Sequence, residues 1–221
     1  MSFKFNRSFA AALLLAFSAC GAAEAMTVTP VHVEMKSAGS ASRNQITVTN
    51  PGKTPLAVES SLEKMLLDEN GDRKMSKAGD DFLVFPPQAM IPPGGTQVFR
   101  LQWVGEPTLA KSQSYLFSLS QVPVKLPAGQ SKVQVVMSFG VVVNVAAVQG
   151  VPSLKVVGTS LTTDKQGKRR AVVTVENSST THALLPQGKL SVAGNGWSHA
   201  LTQTEIREKL GIGLVQPGSR R

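Results

Sequence analysis

The side chains able to do acid–base, nucleophilic or metal chemistry are few and scattered. Three histidines, His32, His182 and His199, and one cysteine, Cys20, are spread over 221 residues. None of the histidines stands at a recognised metal-ligand spacing from another histidine or a carboxylate. The carboxylates Asp68-Glu69 and Asp80-Asp81 are adjacent pairs in turns. Neighbours on a strand point to opposite faces, so neither pair reads as an acid/base dyad. There is no glycine-rich phosphate loop and no nucleophile elbow. The sequence therefore reads as a non-enzyme with no catalytic residue, no metal site and no cofactor. A catalytic reading would need His32 to meet carboxylates in space.

The formal net charge is +9. Such a balance suits nucleic acid, anionic membranes or acidic partners. Its densest cluster, Lys165-Gln-Gly-Lys168-Arg169-Arg170, reads as a solvated hairpin tip. A nucleic-acid surface would interleave aromatics, and aromatic residues are only 5% of the chain. Trp103, Trp197 and Tyr115 read as fillers of a core or a domain joint. No nucleic-acid partner is expected.

Met1–Ala25 has the form of a secretory leader: Lys4 and Arg7, an apolar Phe9–Ala19, then Ala23-Glu24-Ala25 as a small-x-small cleavage site. The apolar run is too short to span a bilayer, so no membrane insertion is expected. Cys20 lies inside this leader. An exported chain from about Met26 then has no disulfide, thiolate nucleophile or cysteine metal site, and its core alone must hold it.

The element to which the other segments are subordinate is Lys132–Val145, KVQVVMSFGVVVNV. Val133, Val135, Met137, Phe139, Val141, Val143 and Val145 are all apolar, and the positions between them are mixed. That period of two marks a β-strand. At ~3.3 Å per residue it would run for over ~40 Å, long enough to serve two partners.

The rest of the chain alternates short β runs with turn chemistry. Thr27–Met35 reads as a first strand, with Pro30 at an edge or bulge. Gln45–Asn50, Leu56–Met65, Phe82–Phe85, Thr96–Leu101 and Ser114–Val122 follow, separated by Asn50-Pro51-Gly52, Asn70-Gly71 and Pro92-Pro93-Gly94-Gly95. Gln149–Pro152 breaks the pattern. Leu154–Leu161, Arg170–Glu176 and Gly188–Val192 then read as strands, and Thr204–Leu210 as one or two helical turns. The pattern predicts an all-β protein of two immunoglobulin-like β-sandwich domains. Its divisions are leader 1–25, first domain 26–148, linker 149–152 and second domain 153–221.

These motifs, in this order, resemble the periplasmic pilus-assembly chaperones of the PapD-like chaperone/usher group. The resemblance rests on Pro30–Met35, Thr47-Val-Thr-Asn50-Pro-Gly52, Phe85-Pro86-Pro87, Ile91-Pro-Pro-Gly94, Val98-Phe-Arg100-Leu101, Ser114-Tyr115, Gln121-Val122-Pro123 and the long alternating strand. Val173–Asn177, His182-Ala183 and Leu214–Arg221 extend it. It implies a chaperone whose partners are pilus or fimbrial subunits and an outer-membrane usher. In that family a long strand lends alternating apolar side chains to a subunit missing a strand, a form of β-augmentation. The donor residues would be Val133, Val135, Met137 and Phe139, with Val141 continuing the row. The same likeness implies periplasmic location. The runner-up reading is an exported two-domain adhesion or structural protein whose long strand completes its own sandwich.

Three departures stand out. The family's arginine and lysine grip on a subunit's terminal carboxylate aligns with His32 and Val142, leaving Lys36 or Lys111 as substitutes. Its buried interdomain charges align with Gln113 and Ala146, so packing is expected to hold the domain angle. The sequence stops at Gln216–Arg221, where a last strand would begin. The second sandwich is therefore expected to lack that strand. A truncated reading frame and an assembly that covers the edge both remain open.

Overall fold

The computed structural model describes residues 26–123, 136–194 and 196–221. The leader assigned to 1–25 lies outside the described residues, as do Val133 and Val135.

The first expected strand is two. β1 (Thr27–Thr29) and β2 (His32–Lys36) lie in different sheets, and the chain changes sheet at Pro30. Proline has no N–H to continue a ladder, which favours a break there. β1 pairs antiparallel with β3 (Arg43–Thr49), while β2 runs parallel to β10 (Ser138–Ala146).

Between them come β4 (Leu56–Leu67), β5 (Arg73–Lys77), β6 (Phe82–Phe85), β7 (Gln88–Ile91), β8 (Thr96–Trp103) and β9 (Gln113–Gln121). One sheet has the order β1-β3-β8-β6. The other has β2-β10-β9-β4-β5, and β7 also pairs with β4. The sheets form a sandwich whose core alternates as the sequence does. Val141, Val143 and Val145 stand beside Phe117, Tyr115 and Gln113 of β9. The three valines, Tyr115 and Phe117 are fully buried, facing Ile46, Val48, Phe99 and Leu101 of the other sheet. Each such side chain contributes about 1.5–3 kcal/mol of burial. Phe82, Trp103 and Tyr115 pack edge to face, their centroids 5.0–6.0 Å apart. The Tyr115 hydroxyl donates to Asp81 Oδ2 at 2.7 Å. Burial and the adjacent Asp81 carboxylate hold its phenol well above the usual range.

Beyond Ala146 no described strand pairs with the first two sheets. β11 (Leu154–Thr163) and β12 (Arg169–Asn177) form a hairpin, with Asp164 accepting from Gln166 N, Lys168 N and Arg170 Nε at its turn. β13 (Ala183–Leu184) pairs with β16 (Leu214–Val215), and β14 (Leu190–Gly194) with β15 (Trp197–Leu201). α1 (Gln203–Leu210) begins in a capping box between Thr202 and Glu205.

Each half is pinned by one buried asparagine at a strand end. Asn50 Nδ2 donates to Thr54 O and Ile91 O at 2.8 and 3.0 Å, and its Oδ1 accepts from Gly52 N. Asn177 Nδ2 donates to Thr181 O and Val215 O at 2.8 and 3.0 Å, and its Oδ1 accepts from Ser179. Removing either side chain strands buried carbonyls. Asn50→Ala and Asn177→Ala should each lower stability by about 2 kcal/mol in urea unfolding. A loss below about 0.5 kcal/mol would show that water replaces these bonds.

Candidate functional site

β10 is paired unequally along its two edges. Against β9 its ladder begins at Ser138, opposite Ser120. Against β2 it begins only at Val142, opposite His32. Over Ser138–Val141 one edge of β10 therefore has no partner strand among the described residues. An unpaired edge offers its N–H and C=O groups to any extended chain.

The side chains along that stretch divide. Met137 and Phe139 are half-buried, resting against the sandwich core. Val141 is 0% exposed and belongs to that core outright. Its place in the donor row is corrected accordingly: it cannot enter a partner's groove without leaving its own. The row available upstream thus ends at Phe139.

Where β2 and β10 do pair, their register brings polar groups into the cleft between the halves. His32 stands opposite Val142, and Glu34 opposite Asn144. His32 Nε2 lies 2.6 Å from Glu34 Oε1, and Asn144 Nδ2 donates to the same oxygen at 2.8 Å. From the second half His182 Nε2 lies 2.6 Å from Glu34 Oε2. At that distance each ring nitrogen must carry the proton and donate, since two lone pairs would repel. The His182 side chain is 4% exposed and that of Glu34 41%. Burial alone would raise the Glu34 carboxyl. The hydrogen bonds from His182, His32 and Asn144, with the attraction of His182, outweigh burial and lower it from 4.5 to about 2. Asn144 Oδ1 and His182 Nδ1 are buried without a hydrogen-bond partner among the described residues.

The residues expected to grip a terminal carboxylate are thus brought together, but they form another device. Val142 is buried and has no side-chain donor. The proton of His32 Nε2 is directed at a carboxylate of the chain itself. A second carboxylate brought here would meet Glu34, a like charge. Lys36 donates to Ala147 O at 3.1 Å. Among the described residues no three His, Cys, Asp or Glu side chains converge on a metal position.

The cleft also joins the halves. Met65 and Val142 pack on Leu184 and Leu214. Gln216 Nε2 donates to Met65 O at 2.8 Å, and its Oε1 accepts from Leu67 N at 2.7 Å. Ser112 N donates to Thr180 O, and His182 N to Ser112 Oγ. Packing is expected to hold the domain angle in place of the family's charges. It does so together with the Glu34–His182 bond and the Gln216 clamp. Gln113 stays within the first half, 2.6 Å from the Tyr115 hydroxyl. The Glu34–His182 contact joins positions 148 apart and carries no local sequence signal. The one hint was an asparagine, Asn144, inside an otherwise valine-rich run.

The structure is thus a β-sandwich, with one edge of β10 unpaired over Ser138–Val141 among the described residues, joined through a cleft to a smaller β unit. A family model for the pili and flagellar-assembly chaperone, PapD N-terminal domain, matches residues 25–145, and the chain belongs to that family. No curated protein matches it. Among solved structures it is similar to CfaA, a class 5 fimbriae chaperone, at 10% identity and TM-score 0.59, covering 89% of this chain and 84% of that one. A chain of the CsuC–CsuE chaperone–tip adhesion subunit pre-assembly complex of archaic Csu pili of Acinetobacter baumannii matches at 16% identity and TM-score 0.53, covering 89% and 88%. A chain of the Salmonella enterica SafA pilin–SafB chaperone complex matches at 16% and 0.52, covering 91% and 84%. The fold is the two-domain β-sandwich of these chaperones.

The Glu34 bonds imply a pH signature. Its carboxyl is depressed in the folded state, so its contribution is full above the unfolded value of 4.5 and is lost as pH falls toward 2. The side chain is partly solvated, and screening leaves about 1–2 kcal/mol of the full linkage value. Glu34→Gln should lower stability at neutral pH and flatten the stability–pH curve between 4.5 and about 2. An unchanged acid limb in pH-dependent urea unfolding would show that these bonds do not hold the joint.

Proposed function

We propose that this chain is a periplasmic chaperone that holds pilus or fimbrial subunits by lending them a strand, then yields them to an outer-membrane usher. The observation that carries the reading is the edge of β10 that no described strand pairs over Ser138–Val141, immediately downstream of an alternating apolar run. A subunit lacking a strand would extend the ladder along that edge. Val133, Val135 and Met137 would fill its groove, with Phe139 at the boundary. Binding and release by strand exchange need no cofactor and no covalent step, and the reading is of a non-enzyme. The leader at 1–25 would supply export, and no helix among the described residues is long and apolar enough to cross a membrane. The domain division follows the same reading, with 149–152 as linker.

The subunit's terminal carboxylate would not be gripped at His32 and Val142. Affinity would come from main-chain bonds and from apolar side chains contributing about 1.5–3 kcal/mol each before association costs.

The test is co-expression with the pilin-like subunit encoded nearest to this chain. Val133→Glu with Val135→Glu should reduce co-purified subunit by more than about tenfold, from the lost burial of two side chains. His32→Ala should alter capture by less than about threefold, a difference under one kcal/mol. Normal capture by the double variant would refute strand lending. Collapse of capture on losing His32 alone would restore a charged grip at the cleft. Full hydrogen-exchange protection of residues 133–139 in the isolated chain would favour an adhesion or structural protein that keeps the strand for itself.

A further inference from the structure

A pocket at the joint stands apart from both the β10 edge and the Glu34 cluster. Its volume is ≈ 410 Å³. The end of β4, the loop into β9 and the start of β9 form its walls, and Gln216 and Pro217 close it from the second half. It lies at the Gln113 end of β9, whereas the open stretch of β10 pairs with the other end, at Phe117–Ser120. Beyond Pro217 the chain runs along β12 from Asn177 to Val175, so its course leads away from the pocket.

The lining is rich in donors and poor in acceptors. Lys64 is half-buried and Lys111 exposed, and neither is in an ion pair among the described residues. Gln113 accepts from the Tyr115 hydroxyl through Oε1, and its Nε2 has no acceptor among the described residues. Ser114 lines the same pocket, and its hydroxyl is buried without a partner. Among the described residues no Asp or Glu lines it. Two ammonium groups across a confined space repel unless an anion lies between them, and a cleft lined by one sign of charge concentrates the opposite ion. The same charges exclude a cationic ligand, and a neutral one would leave both lysines unmatched.

The rest of the wall is apolar, from Leu66, Leu109, Ala110 and Pro217, and Leu66 is 55% exposed. A bare inorganic ion would leave that surface wet. We propose that this pocket binds a small organic oxyanion, a carboxylate or phosphate carried on a short apolar chain. The oxyanion accepts from the ammonium groups of Lys64 and Lys111 and from the Gln113 amide, in charge-assisted hydrogen bonds. The chain lies on Leu66, Leu109 and Pro217. Pro217 belongs to the second half and the lysines to the first. Occupancy therefore fastens the joint that Gln216 clamps through Met65 O and Leu67 N.

The test is calorimetric titration of the full chain with hexanoate and with hexyl phosphate, with hexanol and inorganic phosphate supplying the tail and the head alone. Saturable binding of one or both anions is expected, and the one that binds more tightly identifies the head. Hexanol and inorganic phosphate should each bind more than about tenfold more weakly, having lost one set of contacts. Lys64→Ala with Lys111→Ala should weaken binding by more than about tenfold, and added salt should weaken it in the unaltered chain. Lys74→Ala with Lys77→Ala, at two exposed cations of β5, should change it by less than about twofold. Amide exchange at Leu67, which donates to Gln216, and at Ser112, which donates to Thr180, should slow on binding. The proposal is overturned if neither anion saturates, or if hexanol or inorganic phosphate binds as tightly as they do. It is also overturned if binding survives the loss of Lys64 and Lys111, or leaves both amides exchanging as before. None of these readouts involves the β10 edge, so failure here leaves strand lending standing.

Discussion

The parallel pairing of β2 with β10 is the constraint from which both halves of the site descend. It begins at Val142 because β2 becomes available only after the chain leaves the other sheet at Pro30. Upstream of Val142, β10 has β9 on one side only among the described residues. Downstream, the same pairing places His32 opposite Val142 and Glu34 opposite Asn144. A slip of one residue would turn Val141, Val143 and Val145 from the core toward the cleft and Asn144 into the core. The hydrophobic alternation therefore fixes the register, and the register assembles the polar cluster.

That cluster shows how a buried joint is made with little charge. A lone carboxylate in the cleft would be costly unless every lone pair it turned inward met a donor. Glu34 meets three, one from its own strand, one from β10 and one from the second half. Its depressed pKa is the balance of these bonds over desolvation. In the family resemblance, the aligned positions carry cations that receive a client's carboxylate. Here the carboxylate is internal, and the donors are spent on the chain's own geometry. The Glu34–His182 bond in the cleft fastens the two halves.

The fold was legible where a regular pattern met a regular face. The valine alternation, the Asn50-Pro51-Gly52 turn and the Asp164–Gly167 hairpin all lie where periodicity and turn chemistry place them. The Thr202–Glu205 capping box likewise begins the one helix that the pattern allowed. Strands β5, β7, β13, β15 and β16 are not predicted by the pattern. RKMSK, QAMI and WSHAL are short and carry little alternation, so pairing with neighbours decides them rather than propensity. The pattern places Pro30 at an edge or bulge, because one-dimensional pattern cannot show that a strand changes sheets. Of the cleft cluster the sequence shows only the out-of-place Asn144. The cluster depends on contacts between positions more than a hundred residues apart, and each residue alone resembles an ordinary surface polar group.

β10 divides its length between two environments. From Val141 onward its apolar residues are sealed in a core that needs no partner. Before that, Met137 and Phe139 rest only partly on the core, beside an open edge. Stability and availability therefore reside in different residues of one continuous strand, and the boundary is set where β2 starts. Moving that boundary upstream would pair more of the edge within the chain and leave less to offer. Moving it downstream would loosen the register that assembles Glu34, His32 and His182. The start of a five-residue neighbour, His32–Lys36, thus sets how much of the strand is paired on both edges and how much on one among the described residues.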